Sequence, residues 1–243
     1  MWPVCKKEFR QFFSSLTGII AIAVFLLLNG LFLFVFPDSN MLDFGYATLD
    51  KFFELAPWIL TFLVPAITMR TLADEFKGGT YEILQTKPLG YTQLIIGKYL
   101  GCLFIILLAL LPTLLYAFTL QALSAGNQGI DTGGVAGAYI GLFFLAAVFA
   151  AIGVCCSSLT SNAVVAFIIS AFACFVLYVG FNAVSRIASL ASGADYYVEM
   201  LGIDFHYRSI SRGVIELRDI VYFISIILFF LLFTERNLIK RRP

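Results

Sequence analysis

His206 is the only histidine in the chain, and a lone imidazole limits the chemistry available. A zinc site would need carboxylate or thiolate helpers around it, and neither H-E-x-x-H nor C-x-x-C occurs. A serine nucleophile served by His206 would need a G-x-S-x-G turn, which is missing. The five cysteines, Cys5, Cys102, Cys155, Cys156 and Cys174, sit mostly inside apolar runs and read as small buried hydrophobes. Gly97-Lys98 is the only Gly-Lys pair. It lacks the upstream glycine of a phosphate-cradling G-x-x-x-x-G-K-[ST] and is followed by Tyr99. His206 is therefore expected to be structural or interfacial. Catalytic, metal and nucleotide-binding residues are expected to be absent.

The residues that could do chemistry are sparse because most of the chain is apolar. Of 243 residues, 60% are hydrophobic and 13% charged. A soluble domain of this length has too little interior for that much apolar surface. An all-α polytopic membrane protein is expected, with residues 1–243 forming a single transmembrane domain. The net charge of +1 gives no basic field for nucleic acid. Six apolar runs are long enough or nearly long enough to cross a bilayer: 16–36, 55–72, 99–120, 135–156, 163–184 and the shorter 220–233. Pro57 and Pro65 interrupt the second and Pro112 the third.

Six crossings put both termini on one side. That side would hold Lys6, Lys7, Arg10, Arg70, Lys77, Lys87, Lys98 and the C-terminal basic group, the majority of the 16 lysines and arginines. The positive-inside rule makes it cytoplasmic. The acidic loop 37–54 and the segment 185–218 are then external. Apart from Arg70 at the end of the second, the five clearest runs carry no charge, which disfavours an ion relay. Asn29, Thr61, Asn162 and Asn182 are the strongest polar candidates for a path, and they would equally serve as hydrogen-bonding bridges between helices. Gly133, Gly137 and Gly141, four apart, allow close helix approach, either within one subunit or between copies.

Ahead of the first run, at 100° per residue, Trp2, Cys5, Phe9, Phe12, Phe13 and Leu16 fall on one stripe, with Lys7, Arg10, Gln11 and Ser14 opposite and Lys6 on the flank. This describes an amphipathic helix over 1–15 lying in the membrane interface and held by lipid headgroups. The alternative is a simple extension of the first span. The loop 70–98 is long enough to carry function. Gly78-Gly79 breaks it, Thr80 is placed to cap a short helix through Gln85, and Pro88 ends that helix. Tyr81, Ile83 and Leu84 among charges would make that helix a docking knob; the alternative is a solvated connector.

The string from Glu75 through Gly79, Thr80, Tyr81, Glu82, Ile83 and Leu84 to Pro88, with Gly97-Lys98 downstream, resembles the loop pattern E-x-x-x-G-T-x-E-x-L-x-x-x-P of type-2 ABC exporter permeases. The likeness runs over essentially the whole chain, including LAPWILTFLVPAITMRTLADEF and LGIDFHYRSISRGVIELRDIVYF. Within the family it is most similar to the gliding-motility permease, and relatives export lipid, polysaccharide or other cargo. The departures are Tyr81 and Ile83, where small or leucine residues are common. The resemblance implies six spans, an N-terminal elbow helix and a cytoplasmic coupling helix. It implies a separate cytoplasmic ATPase holding ATP and Mg, a second permease copy or paralogue, and an auxiliary membrane-anchored external subunit. It places the chain in a bacterial inner membrane and suggests that 185–218 forms short re-entrant helices as a lid. A stand-alone secondary transporter, and a membrane scaffold or intramembrane enzyme, are the competing classes.

Overall fold

The computed structural model of the chain describes residues 2–36, 48–85, 90–124, 130–186 and 194–241. The described residues are helical almost throughout. In order they form α1 (Trp2–Ser14), α2 (Leu16–Phe34), α3 (Asp50–Thr68), α4 (Arg70–Lys77), α5 (Thr80–Gln85), α6 (Tyr91–Leu110), α7 (Leu114–Leu123), α8 (Thr132–Leu159), α9 (Ala163–Phe175), α10 (Phe181–Ser185), α11 (Ala194–Glu199), α12 (Ile203–Ser211) and α13 (Leu217–Lys240). Five helical stretches are long and apolar enough to cross a membrane: Asp50–Lys77, Tyr91–Leu123, Thr132–Leu159, Ala163–Ser185 and Leu217–Lys240. They number six when α1 and α2, bent by 72°, are counted as one.

The element ends follow from local chemistry. Ser15 caps α2 by accepting the Gly18 amide at 3.2 Å. Asp131 accepts the amides of Gly133 and Gly134 at the start of α8. Pro112, which cannot donate to the ladder, sits in a 3₁₀ turn (Leu111–Thr113) between α6 and α7. Pro57 leaves the Phe53 carbonyl without its helical donor, and the Tyr207 hydroxyl donates to it at 2.7 Å. Tyr207→Phe should leave that buried carbonyl orphaned and cost about 1–3 kcal/mol, read from the thermal unfolding of the purified protein.

The core runs along α8, whose residues 145–152 are almost wholly buried between α3, α6, α9, α12 and α13. Its small residues permit this closeness. Gly153 has no room for a Cβ, because the Thr68 side chain of α3 occupies that place. Gly137 and Gly141 lie against Gly213 and Ile210, where a Cβ would come within 2.8 and 2.9 Å. At Gly137 and Gly141 the small-residue stripe therefore serves packing inside the subunit.

The helices extend beyond two of the apolar runs. α6 begins at Tyr91, not near residue 99, so Lys98 lies within a spanning helix. α13 spans Leu217–Lys240 and takes Asp219 into its first turn. The expectation of uncharged spans covers the five clearest runs and is corrected at Lys98, which is buried in α6; Asp219, in the sixth span, is buried too, and each lies against an oppositely charged or ionisable partner.

Candidate functional site

The segment with the motif resemblance sits beside α1, the start of α6 and the end of α13. A break at Met69 separates α3 from α4. The freed amides of Leu72 and Ala73 both donate to Ser157 Oγ of α8 at 3.0 Å, and that hydroxyl donates to Met69 O at 3.0 Å. One serine thus fixes where α4 starts. At its other end α4 stops at Gly78, with Gly79 at φ +65°, a left-handed conformation that favours glycine.

So held, α4 turns Glu75 inward onto Lys98. Lys98 is 0% exposed. Its ammonium has three acceptors: Glu8 Oε1 at 2.7 Å, Glu75 Oε1 at 2.8 Å and Thr71 O at 2.6 Å. Three donors meet three acceptors, the condition under which a buried lysine is tolerated. Lys7 Nζ reaches Glu75 Oε1 at 2.8 Å from the more exposed side. Glu75 Oε2 has no hydrogen-bond partner among the described residues. Gly101 makes the geometry possible, since a Cβ there would come within 2.9 Å of Glu8 Cβ and push α1 off α6.

α1 is amphipathic as the stripe predicts, but its buried side is Val4, Cys5 and Glu8. Phe12 is half-buried next to them, while Trp2, Lys6 and Arg10 are exposed. Trp2 meets Phe104 edge-on, and Phe9 and Phe12 both pack on Phe13. Glu8 is the site residue the sequence reading missed. It lies at the edge of the apolar stripe, and its partner is 90 positions away.

One expectation for α5 needs correction. Tyr81 is buried, not an exposed docking side chain: its ring packs on Phe76, and its hydroxyl donates to Leu238 O of α13 at 3.4 Å. Thr80 is the first residue of α5, and its hydroxyl donates back to Glu75 O at 3.4 Å. Glu82 is exposed. Ile83 and Leu84 have helical backbone, and their side chains, with Pro88, lie outside the described residues. The end of α13 closes the assembly. Asn237 donates to Ser158 O and Oγ, and Arg241 donates to Leu159 O at 2.7 Å with its guanidinium 4.3 Å from the Phe76 ring centre.

The polar candidates for a path are dispersed. Asn29 donates to Phe25 O within α2, and Thr61 to Pro57 O within α3. Asn162 is exposed and caps α9 by accepting the Val164 amide. Asn182 donates to Glu199 and Asp204 at the far end of the molecule. There His206 is buried with both ring nitrogens engaged, Nδ1 with Asp219 Oδ1 at 2.6 Å and Nε2 with Met200 O at 2.9 Å. It ties α12 to α13, and both its ring nitrogens are taken up in doing so. Among the described residues no group of three or more His, Cys, Asp or Glu could hold a metal ion.

The described residues form five to six candidate spans, with a basic amphipathic first helix folded back on the segment after α3. The sequence profile of the ABC-2 family transporter proteins matches residues 2–226. The chain belongs to the ABC-2 family. It is the non-catalytic, multi-pass membrane subunit of an ABC transporter, and its family membership implies an ATPase partner. No curated protein matches the sequence.

Proposed function

We propose that α5 docks on a cytoplasmic ATPase and that α4, through Glu75, carries its displacement into α6 and α1. The observation that supports this reading is the Lys98 cluster, which joins those three elements at one point. In this scheme ATP and Mg bind the ATPase, whose closure pushes the helix bearing Glu82. Glu75, Gly79, Thr80, Tyr81, Ile83, Leu84 and Pro88 shape and hold that peg. α1 is the elbow, with Trp2, Phe9 and Phe13 at the lipid interface and Lys6 and Arg10 toward the headgroups. Coupling requires a two-state element, and a cluster that either keeps or loses its ion pairs is one.

The permease works with a second copy or a paralogue, in a bacterial inner membrane with both termini cytoplasmic. Segment 185–218 closes the external end, and Asn29, Thr61 and Asn182 lie along the path. The sequence resemblance supports the gliding-motility transporter as its subtype, served by an auxiliary external subunit. Glu82→Lys, tested with the ABC ATPase co-expressed with the chain, should lower copurification and permease-stimulated ATP hydrolysis by roughly tenfold or more, since charge reversal in an interface costs several kcal/mol. Unchanged pull-down together with unchanged stimulation overturns the docking role of α5.

A further inference from the structure

At the end opposite the Lys98 cluster, a cavity of about 780 Å³ opens between α3, α10, α12 and a π-helical turn, Val176–Gly180, that follows α9. Its volume is that of a small-ligand site. Its floor is built in advance. Tyr207 is fixed to the Phe53 carbonyl, and Tyr178 is buried on the π-helical turn, a distortion that recurs at functional sites. Trp58, on the wall, is 44% exposed and packs edge-on against Tyr178 with ring centres 6.0 Å apart.

The lining holds three arginines, Arg186, Arg208 and Arg212, and three carboxylates, Asp50, Glu54 and Asp204, which are not all paired with one another. Asp204 is satisfied by Arg208, whose Nε and Nη2 reach its two carboxylate oxygens at 3.1 and 2.6 Å. Burial nevertheless holds the Asp204 carboxyl above the usual carboxylate range, against the pull of Arg208. Arg186 and Arg212 line the same cavity and have no carboxylate partner among the described residues. Arg212 also borders two adjoining cavities. Asp50, Glu54 and Asn182 add hydroxyl-binding oxygens to the lining, and Glu54 is already paired with Lys51 at 3.1 Å.

Guanidinium forks fit carboxylate and phosphate groups. An aromatic wall beside amide and carboxylate groups fits the flat, hydroxylated face of a sugar ring, whereas an acyl chain would strand the polar groups. We propose that this cavity binds an acidic sugar unit, with its anion on Arg186 and Arg212 and its ring against Trp58. The sugar is either a free saccharide or the headgroup of a glycolipid. The proposal deepens the permease reading by naming a cargo class. Binding is measured without the ATPase, so it can fail while the docking of α5 stands, and the reverse.

Trp2 and Trp58 are the only tryptophans. Full-length Trp2→Phe protein in phosphatidylcholine nanodiscs therefore reports on Trp58 alone. Sodium glucuronate should change Trp58 emission saturably and release or absorb heat in calorimetry. Glucose and inorganic phosphate should bind about tenfold more weakly or less. A second arm replaces free glucuronate with nanodiscs containing glucuronosyl diacylglycerol; a response confined to that arm assigns the glycolipid source. Arg186→Gln with Arg212→Gln should weaken binding by about tenfold or more at an unchanged thermal midpoint, and Arg212→Lys should weaken it less. The proposal is overturned by silence in both arms and both measurements, by phosphate or an acidic tripeptide binding as well as glucuronate, or by binding that ignores the arginine substitutions.

Discussion

Lys98→Met is expected to destabilise the protein by about 3–5 kcal/mol, because it leaves two carboxylates buried without their cation. Glu8 and Glu75 converge on one ammonium from α1 and α4. Lys7 reaches only Glu75 and is itself half exposed, so it cannot replace that charge in the interior. Thermal unfolding of the detergent-solubilised protein measures the loss. Combining Lys98→Met with Glu8→Gln and Glu75→Gln should recover much of it, since replacing a whole buried ionic group costs far less than removing one partner. A single variant as stable as the wild type, or a triple variant no better than the single, would sink this account of the cluster. In a reconstituted transporter the triple variant separates stability from coupling: it should fold, yet lose ATPase stimulation if the ion pairs transmit the motion.

Gly153→Ala should also be damaging, from the addition of one methyl group. The new Cβ would enter the space held by Thr68, whose hydroxyl is engaged with Val64 O at 2.9 Å. Either α3 and α8 separate or Thr68 gives up its rotamer, and overpacking of this kind costs about 1–3 kcal/mol. Both helices belong to the core, so the strain has little room to dissipate. Adding Thr68→Ala should relieve the Oγ1 and Cγ2 contacts. The double variant should then be more stable than the two single losses predict, by about 1 kcal/mol or more. Strict additivity in a double-mutant cycle would mean that these two residues do not set the α3–α8 distance.

The spans were legible because a bilayer imposes a simple rule of length and apolarity, and α8 and the stretch Ala163–Ser185 fall within a few residues of their apolar runs. The Gly79 turn was legible too, since a positive φ next to a helix end favours glycine. Lys98 was not. A hydropathy reading treats lysine as the end of a span, and nothing local shows that Glu8 will lie beside it in space. Tyr81 misled for a related reason. Its charged neighbours suggested an exposed side chain, but the end of α13, 157 residues later, covers it. The glycine stripe admitted two packings, and it took Gly213 and Ile210 to choose the intramolecular one at Gly137 and Gly141. Whatever rested on periodicity could be read along the chain, and whatever rested on one long-range polar contact could not.

The Lys98 cluster also bears on how the chain is made. The ribosome releases Glu8 long before Lys98, so the first helix exists before the cation that will anchor it. A lysine entering the bilayer on an isolated helix is penalised by a few kcal/mol. Here the carboxylate that removes much of that penalty is already waiting at the membrane surface. The N-terminal helix is thereby an internal insertion aid for α6, and a chain lacking its first fourteen residues should stall in biogenesis at that helix, before any question of transport arises.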